Sequence, residues 1–170
     1  MKRKFIIFLI FLVPFILLAG CGGRGTVNTI SEDPASKKVI TDTNEFQNIF
    51  KGWVNRLSGV AERTDQVYND WVSGKINKDE LTSRTRDLYK ETKRLKTECS
   101  YNTVFNLSET DKKQINYDLI NSSYDKALGQ MNDFLRILPT LEDQQIKTSY
   151  SYTNKVVSDE IGKLKKHLKI

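Results

Sequence analysis

The side chains that could carry out chemistry are few in this sequence and lie far apart. The single histidine, His167, is near the carboxyl terminus, so neither a histidine-based catalytic triad nor a multi-histidine zinc site can be assembled. The sequence has no Glu-x-x-His pair, no Cys-x-x-Cys pair and no glycine-rich phosphate loop. Carboxylates fall mainly at expected helix caps and outer faces, which leaves a paired-carboxylate hydrolase as an alternative. We therefore expect a non-enzymatic protein with no catalytic residue, cofactor or metal.

The amino-terminal segment has the composition of an export signal. Lys2, Arg3 and Lys4 precede an apolar run, Phe5 to Leu18, that only Pro14 interrupts. About 14 apolar residues are fewer than the ~20 that a membrane-spanning helix needs, so this pattern favours a cleaved signal peptide over a permanent amino-terminal helix. The segment ends in small residues and a cysteine, Leu18-Ala19-Gly20-Cys21.

Leu18-Ala19-Gly20-Cys21 resembles the lipobox of bacterial lipoprotein signal peptides. The resemblance implies cleavage between Gly20 and Cys21 by type II signal peptidase, with acyl chains added to the Cys21 thiol. It also implies a location on the extracytoplasmic face of the cell membrane, where two or more acyl chains hold a protein stably. A composition rich in Lys, Ile and Asn favours a Gram-positive bacterium as the source.

Removal of residues 1–20 changes the charge balance of the chain. Without Lys2, Arg3 and Lys4 the formal net charge falls from +6 to +3. So mild an excess does not indicate a nucleic-acid partner. Lipidation of Cys21 would leave Cys99 without an intrachain partner, so Cys99 is a buried small apolar residue, a reactive thiol or part of an intermolecular bridge.

Three parts are expected along the chain. Residues 1–20 form the signal peptide, and residues 21–42, with Cys21 at their start, form a flexible tether rich in Gly, Ser, Thr and charged residues. About twenty flexible residues span roughly 25 Å by random-coil scaling. Residues 43–170 form one helical bundle domain, because four amphipathic segments follow one another with short joints and no convincing strand.

The first two helices have clear sequence limits. The first should begin after Asp42 as N-cap and end near Ser73, followed by Gly74, which takes the left-handed conformation easily. The second should begin after Asn77, with a thinner apolar stripe and a shorter length. Residues alternately four and three apart give the first helix its stripe, which is Phe46, Phe50, Trp53, Leu57, Val60, Thr64, Val67 and Trp71.

The third and fourth helices complete the predicted fold. The third should begin after Ser108 and end before Pro139, and the fourth should begin after Thr140 and reach Leu168. We expect an antiparallel up-down-up-down bundle of about four helices. Because the second helix is short, one end of this bundle is expected either to be looser or to be covered by the loop from Ser100 to Leu107.

Two groups of cations are candidate contact sites. Lys163, Lys165, Lys166 and Lys169 would lie near the bilayer and could contact anionic lipid, although cations also favour a helix carboxyl end through the backbone dipole. The second helix carries a basic outer face that either meets an acidic partner or is a solvated surface. That face consists of Arg84, Arg86, Lys90, Lys93, Arg94 and Lys96.

The function predicted from these features is a lipid-anchored binding or scaffolding module. Its partner would be another cell-envelope protein or an incoming one. A small-ligand carrier is a second interpretation, with a pocket in the bundle core around Tyr117, Tyr124 and Tyr150. An envelope hydrolase is the third.

Overall fold

The computed structural model describes residues 37–170. The predicted signal peptide, its cleavage site at Gly20 and Cys21, and tether residues 21–36 lie outside the described residues. The elements, in chain order, are β1 (Lys38–Ile40), α1 (Thr43–Val72), α2 (Lys78–Thr97), a π-helical turn (Glu98–Asn102), β2 (Thr103–Phe105), α3 (Glu109–Gln114), α4 (Tyr117–Ile137), a 3-10 turn (Leu138–Thr140) and α5 (Asp143–Leu168). The all-α prediction is confirmed, and one short pair of strands is added to it.

The limits of α1 and the start of α2 agree with the sequence. The Asp42 side chain accepts a hydrogen bond from the backbone N–H of Glu45 at 2.8 Å, and Asn77 accepts one from Glu80 at 2.9 Å. Each bond satisfies an amide that has no partner within the helix. Gly74 follows α1 with φ +75°, a conformation that a residue without a Cβ adopts at little cost.

The predicted third helix is wrong in one respect, because it is divided in two. Asn116 has φ 57° and ψ 45°, which ends the helical path after α3 and starts α4 in a new direction. Asparagine tolerates this left-handed conformation better than most residues. This break shortens α4 to 21 residues, nearly the same length as α2 with 20. The helix predicted to be short, α2, is therefore clearly shorter than α1 and α5 but not than α4.

The start of the last helix also differs from the prediction. Glu142, rather than Thr140, is the N-cap of α5, and the Gln145 side chain accepts a hydrogen bond from the Glu142 backbone N–H at 2.9 Å. Leu138–Thr140 instead form the 3-10 turn around Pro139. The last helix therefore begins two residues later than the sequence pattern indicated.

The four long helices surround one apolar core. Helix α1 packs against α2 and α5, and α4 packs against the same two helices. Large side chains from all four are less than 2% exposed. They include Phe46, Phe50, Leu57, Leu81, Leu95, Ile120, Tyr124, Leu128, Met131 and Ile146. No helix among residues 37–170 combines the length and the apolar character needed to cross a membrane.

A two-stranded parallel ribbon covers the end of the bundle where α2 is missing. The guanidinium of Arg56 in α1 lies 2.6 Å from Glu98, just beyond the end of α2, so the turns of α1 before Arg56 extend past α2. β2 places the Phe105 ring 4.9 Å from that of Phe46 and 5.5 Å from that of Phe50. The loop therefore covers this end of the bundle, one of the two arrangements expected.

The first strand of the ribbon belongs to the ordered backbone. Lys38, Val39 and Ile40 pair in register with Thr103, Val104 and Phe105. Ile40 is fully buried, which anchors the strand to the core. β1 lies within the range 21–42 that the sequence assigned to the tether. A three-residue strand has too little alternation to be distinguished from a linker by pattern alone.

Candidate functional site

A groove between α1 and α5, here called the α1–α5 groove, is a candidate binding site. It has a volume of about 470 Å³. Small side chains from both helices keep it open, since α1 contributes Ser58 and Ala61 while α5 contributes Ser158 and Gly162. Its remaining lining residues are Glu62, Asp65, Asn154, Ile161 and Lys165.

One wall of the groove is acidic and partly fixed in position. The Tyr150 hydroxyl donates a hydrogen bond to Asp65 at 2.5 Å, and the Asn69 amide donates to the other carboxylate oxygen at 3.1 Å. Tyr68 stacks on Tyr150 with ring centroids 3.7 Å apart. Burial, together with the nearby Asp65 carboxylate, raises the pKa of Tyr150 far above its ordinary value, so this tyrosine stays a hydrogen-bond donor.

The opposite wall contributes a cation. The Lys165 ammonium donates a hydrogen bond to the Ser58 hydroxyl at 3.2 Å, and that hydroxyl donates to Glu62 at 3.3 Å. The groove therefore presents two carboxylates and one ammonium along a floor of small side chains. This arrangement suits a segment of a protein partner that carries a basic side chain, because the Asp65 oxygens are already oriented.

No protein-family model, curated protein or solved structure matches this chain. Function therefore has to follow from the surfaces described here and from the lipobox-like segment. Cys21, on which the lipid anchor depends, lies outside the described residues, so its lipidation stays a prediction.

The four lysines predicted to contact lipid do not share one environment. The Lys163 ammonium donates to Glu160 at 3.0 Å, and Lys165 points into the α1–α5 groove. Lys169 caps α5 with φ 56°, and Lys166 is exposed. Two of the four are thus engaged by other side chains of the protein.

His167 and Cys99, the two remaining side chains that could take part in chemistry, lie outside the α1–α5 groove. His167 is exposed in the last turn of α5. Cys99 is half-buried beside Asp125 in a separate concavity of about 260 Å³. Burial raises the pKa of the Cys99 thiol, which disfavours the reactive thiolate. Within residues 37–170, no cluster of three or more His, Cys, Asp or Glu could hold a metal ion.

Of the tyrosines proposed for a ligand carrier, Tyr124 and Tyr150 are buried packing residues, whereas Tyr117 is half-buried and also lines a surface concavity of about 340 Å³. Tyr124 is 1% exposed, and its ring stacks on that of Trp53 at 5.7 Å. Tyr150 is 6% exposed, and Tyr117 packs its ring 5.3 Å from that of Phe46. Neither Tyr124 nor Tyr150 lines any of the concavities described here. The carrier function stays a prediction.

A second surface, here called the α2 flank, combines basic and apolar side chains. Lys90, Lys93, Arg94, Thr97, Glu98 and Asn102 line a shallow concavity of about 580 Å³. Next to it are the exposed side chains of Tyr101, Val104 and Val39, which are 66%, 40% and 57% accessible. The sequence identified the cations but missed Val39 and Val104, because their exposure depends on strand pairing. The only available signal was the β-branched character of both segments.

Proposed function

We propose that this protein is a lipid-anchored, extracytoplasmic binding module. Cys21 would hold it on the cell membrane, and the α1–α5 groove would receive a segment of another envelope protein. The observation that carries this proposal is the groove itself, in which small side chains leave room between two long helices and oriented polar groups line the walls. The two carboxylates and the ammonium that line the groove are groups that can form charge-assisted hydrogen bonds with a bound segment.

We further propose that the four long helices run up-down-up-down. Ion pairs between α1 and α2 support this order, because Arg56 meets Glu98, Arg63 meets Glu91 and Arg84 meets Asp70. Residue numbers thus rise along one helix as they fall along its neighbour. In the same way, Lys126 meets Glu160 and Gln130 meets Thr153 between α4 and α5.

The polar groups of the groove define the chemistry of the partner. Glu62 is exposed and Asp65 is partly exposed, so a lysine or arginine of the partner can reach both without crossing the core. Charge-assisted hydrogen bonds of this kind are stronger than bonds between neutral groups. Ser158 and Gly162 leave a shallow floor in the groove. The partner residues that lie over this floor, between the partner's basic groups, would therefore need small or flat side chains.

A substitution that fills the groove tests partner binding. A Cβ added at Gly162 meets no atom within 4 Å, so Gly162→Leu should fold normally while it occupies the groove. Gly52 is exposed on α1, and a Cβ there also meets no atom within 4 Å, which makes Gly52→Leu a matched control. We expect crosslinked partners recovered from detergent-solubilised membranes to be lost with Gly162→Leu and retained with Gly52→Leu. Equal recovery with both variants would contradict the groove as the binding site.

Lipid anchoring is tested separately. Mass spectrometry of the mature protein should find acyl chains on Cys21 as its first residue. With Cys21→Ser, we expect the protein to leave the membrane fraction without detergent, because the anchor is lost. A Cys21→Ser protein that stays in membranes until detergent is added would contradict the proposed anchor and favour a permanent amino-terminal helix.

A further inference from the structure

The α2 flank combines exposed apolar residues with Lys90, Lys93 and Arg94, three cations that line one concavity. Val39 and Val104 are paired across the two strands, so both side chains project from the same face of the ribbon. Tyr101 lies in the π-helical turn that joins α2 to β2. Three of the seven large apolar side chains that are exposed among the described residues are therefore close together on this flank. Clustered apolar exposure of this kind marks an interaction site.

The charges on the flank are mostly positive after ion pairing. Glu98 is paired with Arg56 at 2.6 Å, and Glu91 is paired with Arg63 at 2.7 Å, so α1 neutralises both carboxylates. Asp87 is paired with Lys90 at 2.8 Å. Lys93 and Arg94 remain exposed and are the cations available to an external anionic surface, with Lys93 also lying 5.8 Å from the Tyr89 ring.

The length of chain between Cys21 and the ribbon limits how far the α2 flank can lie from a membrane that holds Cys21. Fifteen residues, and hence sixteen Cα–Cα steps, separate Cys21 from Lys37, which adjoins the ribbon. Even fully extended, that chain spans at most ~55 Å. A lipid on Cys21 would therefore keep the ribbon close to a bilayer, and this proximity raises the effective concentration of lipid at the flank.

We propose that the α2 flank docks on the surface of an anionic bilayer. This inference rests on the proposed lipid anchor. Tyr101, Val39 and Val104 would enter the headgroup region, where a tyrosine places its ring in apolar surroundings and its hydroxyl in water. Lys93 and Arg94 would lie against anionic headgroups.

Docking in this orientation leaves the α1–α5 groove accessible. Helices α1 and α4 each pack against both α2 and α5, so α2 and α5 occupy opposite corners of the bundle. With the α2 flank on the bilayer, α5 faces away from it. Membrane contact through the α2 flank would thus leave the groove accessible to other proteins.

Two exposed tyrosines on different sides of the bundle allow a direct test. Tyr101 is 66% exposed on the α2 flank, and Tyr152 is 62% exposed on α5. The lipidated mature protein, carrying either Tyr101→Trp or Tyr152→Trp, is reconstituted into anionic vesicles that contain brominated phospholipids. Both substitutions keep an exposed aromatic residue, so the fold should be retained. We expect the tryptophan introduced at residue 101 to be quenched at least twice as strongly as the one at residue 152, after subtraction of the signal from the unsubstituted protein.

Charge variants identify the contacting cations. Lys93→Gln with Arg94→Gln should lower the ratio of docked to undocked protein roughly thirtyfold, since each cation near an anionic membrane contributes about fivefold. Lys155→Gln with Lys166→Gln removes two exposed cations of α5 and should leave quenching unchanged. With Lys93 and Arg94 intact, vesicles of zwitterionic lipid should give weaker quenching of the tryptophan introduced at residue 101 than anionic vesicles give.

Each contrary result has a defined meaning. Equal quenching at the two tryptophans, or a loss of quenching only when α5 lysines are replaced, would overturn docking by the α2 flank. A response of the tryptophan at residue 101 to polyglutamate but not to anionic vesicles would overturn it in favour of an acidic protein partner. Because the protein is loaded through its own lipid, failure to recover acylated Cys21 would instead contradict the proposed anchor.

Discussion

Replacement of Glu160 by glutamine should reveal how much one buried ion pair stabilises the bundle. Glu160 is 4% exposed between α4 and α5, and the same carboxylate oxygen accepts hydrogen bonds from Lys126 at 2.8 Å and Lys163 at 3.0 Å. Hydrogen bonding to Lys126, opposed by burial and aided by Lys163 and Ser123, lowers the pKa of Glu160 from 4.5 to about 2. Glutamine keeps the shape and an acceptor oxygen but has no charge.

The expected magnitude follows from the pKa and the exposure of the partners. At ~1.4 kcal/mol per pH unit, the lowered pKa of Glu160 corresponds to an upper limit of ~3 kcal/mol in the free energy of unfolding. The Lys126 and Lys163 side chains are 61% and 56% exposed, so solvent screens much of the attraction. We therefore expect Glu160→Gln to lower the free energy of unfolding by ~1–2 kcal/mol at pH 7.

The pH dependence of unfolding distinguishes the contribution of the Glu160 charge to the free energy of unfolding from the contribution of its packing. Because the folded-state pKa of Glu160 is lowered, its stabilising effect is complete above the unfolded-state value near 4.5 and is lost as the pH falls toward 2. Urea unfolding followed by circular dichroism at several pH values should therefore give a gap between the two proteins that closes over this range. Asp159→Asn, an exposed neighbour on α5, controls for the loss of one negative charge.

Two results would refute this reasoning. A Glu160→Gln protein as stable as the original at pH 7 would mean that desolvation of the carboxylate cancels its attraction to both lysines. A stability difference that persists unchanged at pH 2 would mean that glutamine disturbs packing, because most of the stabilisation by the Glu160 charge is lost by that pH. Equal losses for Glu160→Gln and Asp159→Asn would assign the effect to net charge.

Three further substitutions test the core. Tyr124→Phe should raise the free energy of unfolding by about 1 kcal/mol, because the buried hydroxyl has no hydrogen-bond partner among the described residues; a less stable variant in urea unfolding would contradict this. Asn132→Ala should lower it by ~1–2 kcal/mol, since the buried Thr92 hydroxyl donates to Asn132 at 3.1 Å, and thermal unfolding would measure the loss. Phe105→Ala should lower it by ~2–4 kcal/mol and shift the emission of Trp53 to longer wavelength, and unchanged emission would argue against the ribbon as a cover.

Local sequence signals predicted the helices where each signal acts within a few residues. Asp42 and Asn77 are N-caps as expected, and Gly74 follows α1. The stripe of α1 was also correct, since residues from Phe46 to Thr64 at the predicted spacing are buried. Helical periodicity is set by the backbone, so residues three and four apart share a face whatever surrounds them.

The predicted and observed helix limits differ where the local sequence signals were weak or where they competed with one another. Asn116 directly precedes the apolar stripe of α4, and no residue type near it required a break in the predicted helix. Ser108, predicted as the cap of one long helix, caps the short α3 instead, accepting a hydrogen bond from the Asp111 backbone N–H. Packing of Tyr117 against Phe46 accompanies the change in direction, and such contacts between distant residues leave no local pattern.

The sequence by itself determined that the chain is helical, where α1 begins and ends, and that a lipobox-like segment precedes the ordered part. Only the tertiary structure decided which surfaces stay open. The α1–α5 groove exists because small residues of two helices face each other, and Lys165 belongs to it because α5 lies beside α1. The apolar part of the α2 flank exists because strands 63 residues apart pair at Val39 and Val104. Periodicity fixes which face a residue lies on, but the packing of distant elements fixes whether that face is covered.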